Sequence, residues 1–313
     1  MGETSKGILQ RAFRLRWHGA INVLARVISG VKGLSRVLAV AIAPLSGYNC
    51  LAMNLQLNDW RPYAEYFTGA QHAIQGTVLV QPQVWSPQLD NYRDLLIYLP
   101  PSYLASEQRY PVIYMQDGQN LFDVATSFVG VEWGVDDTLQ ALSAEGLEAV
   151  VVGVPNTGER RLNEYTPPAN PWWHGSGDQY VAFLIDTLKP LVDRDFRTIA
   201  ARSHTGIFGS SLGALISLYA FFARSDVFGF VGAMSPSLWV GRSLILDQVR
   251  ASQVVPGRIY LDNGTHEPSA QRLADLLRDK GYADFKYVVD EGGRHTEADW
   301  ARRLPAALRF LLT

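Results

Sequence analysis

The sequence predicts an α/β fold: a mostly parallel sheet with an antiparallel N-terminal edge and helices on both faces. Three observations carry that expectation. Apolar runs recur at 77–85, 93–99, 110–116, 148–154, 205–210, 228–234, 257–262 and 284–290. Helical patterns lie between them, notably at 178–195, 212–223, 267–280 and 296–312. The first two runs are joined only by Ser86-Pro87-Gln88-Leu89-Asp90-Asn91, a spacing that gives an antiparallel hairpin at the edge of the sheet. Strands that then alternate with helices require a parallel sheet covered on both faces.

Composition sets outer limits. The chain has 313 residues, 47% hydrophobic and 19% charged, enough to bury a substantial core. A net charge of −2 gives no reason to expect a nucleic-acid partner. Charge is unevenly spread, since residues 1–52 hold seven Lys/Arg against the single acid Glu3. Within them Val37 to Leu45 form a short apolar run, too short to span a bilayer, that resembles the apolar centre of a signal peptide. Export to the periplasm or the exterior is the expectation. A membrane-surface helix in a cytoplasmic protein is the alternative. Cys50 is the only cysteine, so no internal disulfide forms. Tyr48-Asn49 before it do not fit a lipoprotein site, and Lys6 does not fit myristoylation. The expected organisation is an N-terminal segment 1–52, a linker 53–75 and a catalytic domain 76–313.

The chemistry centres on residues 205–213. An apolar run ends in Gly209-Ser210-Ser211-Leu212-Gly213, which fits G-x-S-x-G, and a helical pattern follows at once. On a sharp strand-to-helix turn a serine adopts a strained backbone, and side chains two residues either side of it would clash. The turn lifts the Ser211 hydroxyl clear of the sheet and aims the Leu212 amide at the same spot. Alone, the pentapeptide equally fits a plain tight connection.

A serine hydroxyl needs a base to take its proton and a carboxylate to orient that base. After such an elbow the partners follow in the order acid, then histidine, on loops after later strands. Of the six histidines, only His295 follows the final strand run, beside Gly292-Gly293. His18, His72, His174 and His204 precede the elbow, and His266 lies on the acid's loop. The acid is Glu267 or Asp262, with Glu267 favoured because it is three residues beyond Gly264 and reaches back to a histidine. Asp262, at the strand end, alternatively ties down the turn at Asn263-Gly264. Asp290 and Glu291 share the histidine's own loop and are read as capping or solvating it. For the oxyanion, the loop after run 110–116 offers the amide of Gln119 (or of Gly118), to be paired with that of Leu212. Asp117-Gly118 also fits an ordinary turn.

From about residue 76 to 313 the chain resembles the esterase family of α/β-hydrolases that groups esterase D-like enzymes, enterochelin esterases, feruloyl and acetylxylan esterases, and mycolyltransferases. The likeness rests on Tyr98-Leu99-Pro100-Pro101-Ser102-Tyr103, on Tyr110 to Phe122 with its Gln116-Asp117-Gly118-Gln119-Asn120 core, and on Gly209 to Gly213. Ser235-Pro236-Ser237-Leu238-Trp239, Gly264-Thr265-His266-Glu267 and Gly292-Gly293-Arg294-His295 complete it in the expected order. The resemblance implies Ser211 as nucleophile, Glu267 as acid and His295 as base, without cofactor or metal. It departs at Ala214, where many members carry a second glycine.

Specificity residues are expected among Trp239, Trp172-Trp173 and Arg161. Asn156 to Arg161 and Glu164-Tyr165 follow run 148–154 and belong near the cleft. An Arg161–Glu164 ion pair at i, i+3 spacing is the competing reading of the arginine. His266-Glu267 lacks the second histidine of H-E-x-x-H, and no phosphate-binding G-x-x-x-x-G-K-[S/T] loop occurs. The expected partner is a small-molecule, glycan or siderophore ester. The expected activity is hydrolysis of carboxylic esters, with acyl transfer to a sugar or lipid hydroxyl, or binding without chemistry, as alternatives.

Overall fold

The computed structural model describes residues 59–69, 71–168 and 175–313. Among them nine strands form one sheet in the order β1-β2-β3-β5-β4-β6-β7-β8-β9. The strands are β1 (Arg61–Pro62), β2 (Thr77–Ser86), β3 (Asn91–Leu99), β4 (Val112–Gln116), β5 (Val150–Val154), β6 (Thr205–Ser210), β7 (Phe230–Met234), β8 (Arg258–Gly264) and β9 (Phe285–Asp290). β1, β2 and β3 pair antiparallel, and β3 runs antiparallel to β5. From β5 to β9 every neighbour is parallel. This is the mixed sheet that the alternation of runs predicts.

Every residue of β4, β5, β6 and β7 is buried. Strands covered on both faces favour apolar side chains, and these four read as apolar runs whose buried polar residues, Gln116, Thr205 and Ser210, fall at strand ends. Successive side chains alternate between the faces. Ile113, Met115, Val151, Phe208 and Met234 share one core cluster with Leu139 and Leu142 of the helix Val135–Ser143 and with Leu304 and Leu308 of the C-terminal helix Glu297–Leu312. The elbow helix Leu212–Ala223 contacts β6 and β7 and packs on Leu244–Ala251, which in turn meets Gln271–Asp279.

Register brings the loops together. Ser210 pairs with Met234 and Met234 with Asp262, so β6 and β7 end at the same level and β8 runs two residues further, to Gly264. In open α/β sheets, the crevice above these carboxyl ends is where ligands bind.

Three details differ from the sequence expectations. The helix expected at 267–280 begins at Gln271, because Asn263 Oδ1 accepts the Ala270 amide (2.9 Å) and Glu267 is turned inward. The helix expected at 178–195 holds a wider turn, Phe183–Leu188, between Gly177–Ala182 and Lys189–Asp195. Within the stretch expected as linker, Arg61–Pro62 pair with β2, Tyr63 is buried, and the Trp60 indole donates to Asp195 (3.0 Å). Residues 1–52, with the apolar run at 37–45 and Cys50, lie outside the described residues, as do Trp172, Trp173 and His174. Among the described residues no helix is long and apolar enough to cross a membrane.

Candidate active site

Ser211 sits between β6 and the elbow helix with φ 55° and ψ −120°, a conformation that a non-glycine residue adopts only under local constraint. The flanking glycines make it feasible. A Cβ on Gly209 would fall 2.5 Å from the Gly213 carbonyl carbon, and one on Gly213 would fall 3.0 Å from Gln116 Cβ. Ala214, the departure from the family pattern, is simply buried in the helix.

His295 Nε2 lies 2.9 Å from Ser211 Oγ, and its Nδ1 lies 2.7 Å from Glu267 Oε2. A carboxylate only accepts, so Glu267 keeps the proton on Nδ1 and leaves Nε2 to accept the serine hydroxyl. Trp300 meets the imidazole edge-on, with ring centroids 4.9 Å apart. The histidine side chain is 40% exposed while that of Glu267 is 1% exposed. Burial by itself would raise the Glu267 pKa. Hydrogen bonds from His295, from the Gly264 amide (2.5 Å) and from the Ser235 hydroxyl (2.7 Å) outweigh it, and the net shift is downward.

Asp262 is placed differently. It is fully buried at the end of β8, 3.1 Å from Arg303 Nη1 and in reach of the Ser235 amide (3.3 Å). Burial pushes its carboxyl up to about 7, against the pull of Arg303. Of the two candidate acids, Glu267 is the one hydrogen-bonded to the imidazole.

The loop after β4 is pinned. Asp117 has a left-handed backbone (φ 56°), and its carboxylate receives Arg161 Nε and Nη2 (both 2.7 Å) and Asn156 Nδ2 (2.7 Å). Gly118 allows the loop to press on β5, since a Cβ there would lie 2.5 Å from the Gly153 carbonyl carbon. The Asn156 amide donates to Gln119 Oε1 (3.2 Å). Leu212 opens the elbow helix, so its amide has no intrahelical acceptor. Gln119, Ser211, His295, Arg161, Glu297 and Trp300 line one cavity of about 800 Å³.

Two expectations are corrected here. Arg161 does not pair with Glu164: it forks onto Asp117, and Glu164 instead meets Arg93 of β3 in a buried pair at 3.2 Å. Spacing along the chain suggested a local pair, but the loop after β4 supplies Arg161 with Asp117, and β3 supplies Glu164 with Arg93. Trp239 is 65% exposed and is not part of the cavity wall. The indole that does form the wall is Trp300, on the C-terminal helix, which was not among the residues expected from sequence. His72 is held between Asp123 (2.5 Å) and the Phe67 carbonyl (2.5 Å), away from Ser211.

The sheet order, the elbow and the loops above it define an α/β-hydrolase. A family model described as "Putative esterase" matches residues 86–311, and the chain belongs to that esterase family. Among curated relatives, an uncharacterised Bacillus subtilis protein, YbbA, is 27% identical over 243 residues, 70% of this chain and 92% of its own length. The siderophore triacetylfusarinine C esterase of Aspergillus fumigatus is 30% identical over 183 residues, 54% of this chain and 61% of its own. Among solved structures, an enterochelin esterase from Shigella flexneri superposes with a TM-score of 0.60 at 22% identity, covering 74% of this chain and 57% of that one.

Proposed function

We propose that this ester-hydrolysing enzyme works by a covalent serine mechanism in which Ser211 is the nucleophile, His295 the base and Glu267 the acid that orients it. The observation that carries this reading is the unbroken hydrogen-bonded line from Ser211 Oγ through the imidazole to Glu267, 2.9 and 2.7 Å, at the wall of the cavity. Ser211 Oγ adds to the ester carbonyl while its proton passes to His295 Nε2. The amides of Gln119 and Leu212 receive the oxyanion. Collapse expels the alcohol, which takes the proton from His295, and leaves an acyl-Ser211. Water then repeats the sequence, giving the acid and free enzyme. Each oxyanion donor is worth on the order of 3 kcal/mol of barrier.

The substrate class is a small-molecule carboxylic ester. Siderophore esters are the first to test, because the curated relatives include enzymes named for triacetylfusarinine C and enterobactin. We also propose that residues 1–52 direct export, on the basic-then-apolar pattern of that segment. Detection of a shortened chain in the periplasm or medium checks this, and a full-length cytoplasmic chain contradicts it. The mechanism is tested with Ser211→Ala on short p-nitrophenyl esters. Turnover is expected to fall to background, and full retained turnover removes Ser211 from the reaction.

A further inference from the structure

A buried cation stands behind Glu267. Arg303, on the C-terminal helix, is 5% exposed. Its Nη2 donates to Ser235 Oγ (2.9 Å) and lies 3.4 Å from Glu267 Oε1. Its Nη1 is 3.1 Å from Asp262, and its Nε donates to the Asp299 carbonyl (3.3 Å) and lies 3.9 Å from Asp290. Asp290 is mostly engaged elsewhere, by the exposed Arg302 at 2.5 Å. An arginine is rarely placed so deep unless several acceptors meet it.

Ser235 connects this cation to the acid. It holds a left-handed backbone (φ 46°) just after β7. Its hydroxyl accepts from Trp300 Nε1 (2.9 Å) and from Arg303 (2.9 Å) and donates to Glu267 Oε1 (2.7 Å). A hydroxyl has one proton and two lone pairs, so this rotor is fully committed. Glu267 Oε1 thus takes the Gly264 amide, Ser235 and Arg303, and Oε2 is left to the imidazole.

We propose that Arg303, bridged by Ser235 and counterbalanced by Asp262, is a positioning residue that fixes the direction of Glu267 and keeps it a carboxylate while the imidazole is charged. The inference rests on reading Glu267 as the orienting acid. The charged and titratable groups around this centre are Asp262 and Tyr260 from β8, Asp290 from β9, Glu267 and His295 from the loops, and Arg302 on the same helix. A fixed cation at Oε1 opposes movement of the imidazole proton onto the carboxylate, which would undo the orientation that the base needs.

The test compares Arg303→Met, Arg303→Lys, Ser235→Ala and Ser211→Ala in the full chain, with kcat and KM for a p-nitrophenyl ester followed against pH. Arg303→Met is expected to lower kcat roughly ten-fold or more, the scale of a lost charged hydrogen bond, with KM nearly unchanged. The acid limb of its kcat/KM profile moves to higher pH, because a cation no longer opposes protonation of the imidazole. Arg303→Lys returns the limb towards its original position, and Ser235→Ala moves it less than Arg303→Met and in the same direction. If Arg303→Met does not fold, the lysine and Ser235→Ala variants carry the comparison. An unshifted limb in folded variants, or equal losses in the methionine and lysine variants, overturns the proposal in favour of simple packing. Activity surviving Ser211→Ala would instead sink the triad reading itself, so the two failures are separable.

Discussion

Asp262 and Glu267 lie five residues apart, and their surroundings give them opposite behaviour. Glu267 accepts hydrogen bonds from His295, a backbone amide and a hydroxyl, and its carboxyl is held below the usual range. Asp262 is enclosed, and burial pushes it up to about 7. Glu267→Gln removes the negative charge and, with the amide oxygen held by the donors at Oε1, turns an NH2 group towards His295 Nδ1. Accordingly kcat should fall roughly 100-fold or more, the scale of general-base contributions. Asp262→Asn leaves the His295–Glu267 contact in place and should cost far less. Steady-state kinetics of the two variants at one pH check this, and equal losses contradict it. The depressed acid also has a stability signature. Glu267 stabilises the fold above its unfolded pKa, and that contribution disappears as pH falls through its lower folded value. Glu267→Gln should therefore flatten the acid side of a thermal-stability curve, and an unchanged curve argues against the contact.

At the scale of elements, the elbow depends on two glycines that tolerate substitution unequally. A methyl on Gly209 meets backbone at 2.5 Å, whereas on Gly213 it meets the Gln116 side chain at 3.0 Å. Gly209→Ala should lower the unfolding temperature more than Gly213→Ala, and the reverse order in a thermal melt contradicts this account. The segment before the helix Val135–Ser143 carries an acid of the other kind. Burial, followed by the neighbouring Asp136, Asp123 and Asp137, raises Glu132 to about 7. A raised acid favours the fold below its unfolded pKa, and the contribution is lost as pH rises through the folded value. Glu132→Gln should gain stability relative to the parent between about pH 5 and pH 8, read by melts across that window; a constant difference contradicts it.

How far such elements can be read from sequence depends on what each residue answers to. Strands β4 to β7 are legible because burial on both faces confines polar residues to strand ends, at Gln116, Thr205 and Ser210. The helices Val135–Ser143 and Leu244–Ala251 are short and carry acids in their first turns, so their narrow apolar stripes do not stand out. Ser211, Glu267 and His295 were legible from order and loop position. Arg303 and Trp300 were not: at helical spacing they read as an exposed charge and a core aromatic, and only the packing of that helix over β7 and β8 turns them towards Glu267 and His295.

At the scale of the whole molecule, the parallel register carries function as well as stability. It holds three side chains, separated by 56 and 28 residues along the chain, in one hydrogen-bonded line above the strand ends. All three belong to the unit Leu57–Thr313. A chain beginning at residue 57 should therefore keep the p-nitrophenyl ester activity of the full protein, and its loss would mean that the N-terminal segment takes part in building the site.

Treating the protein with a fluorophosphonate and mapping the adduct by peptide mass spectrometry decides whether Ser211 is the nucleophile. A single modification is expected, on Ser211, formed far more slowly once His295 is replaced by alanine. No adduct, or one on another residue with Ser211 untouched, would contradict it.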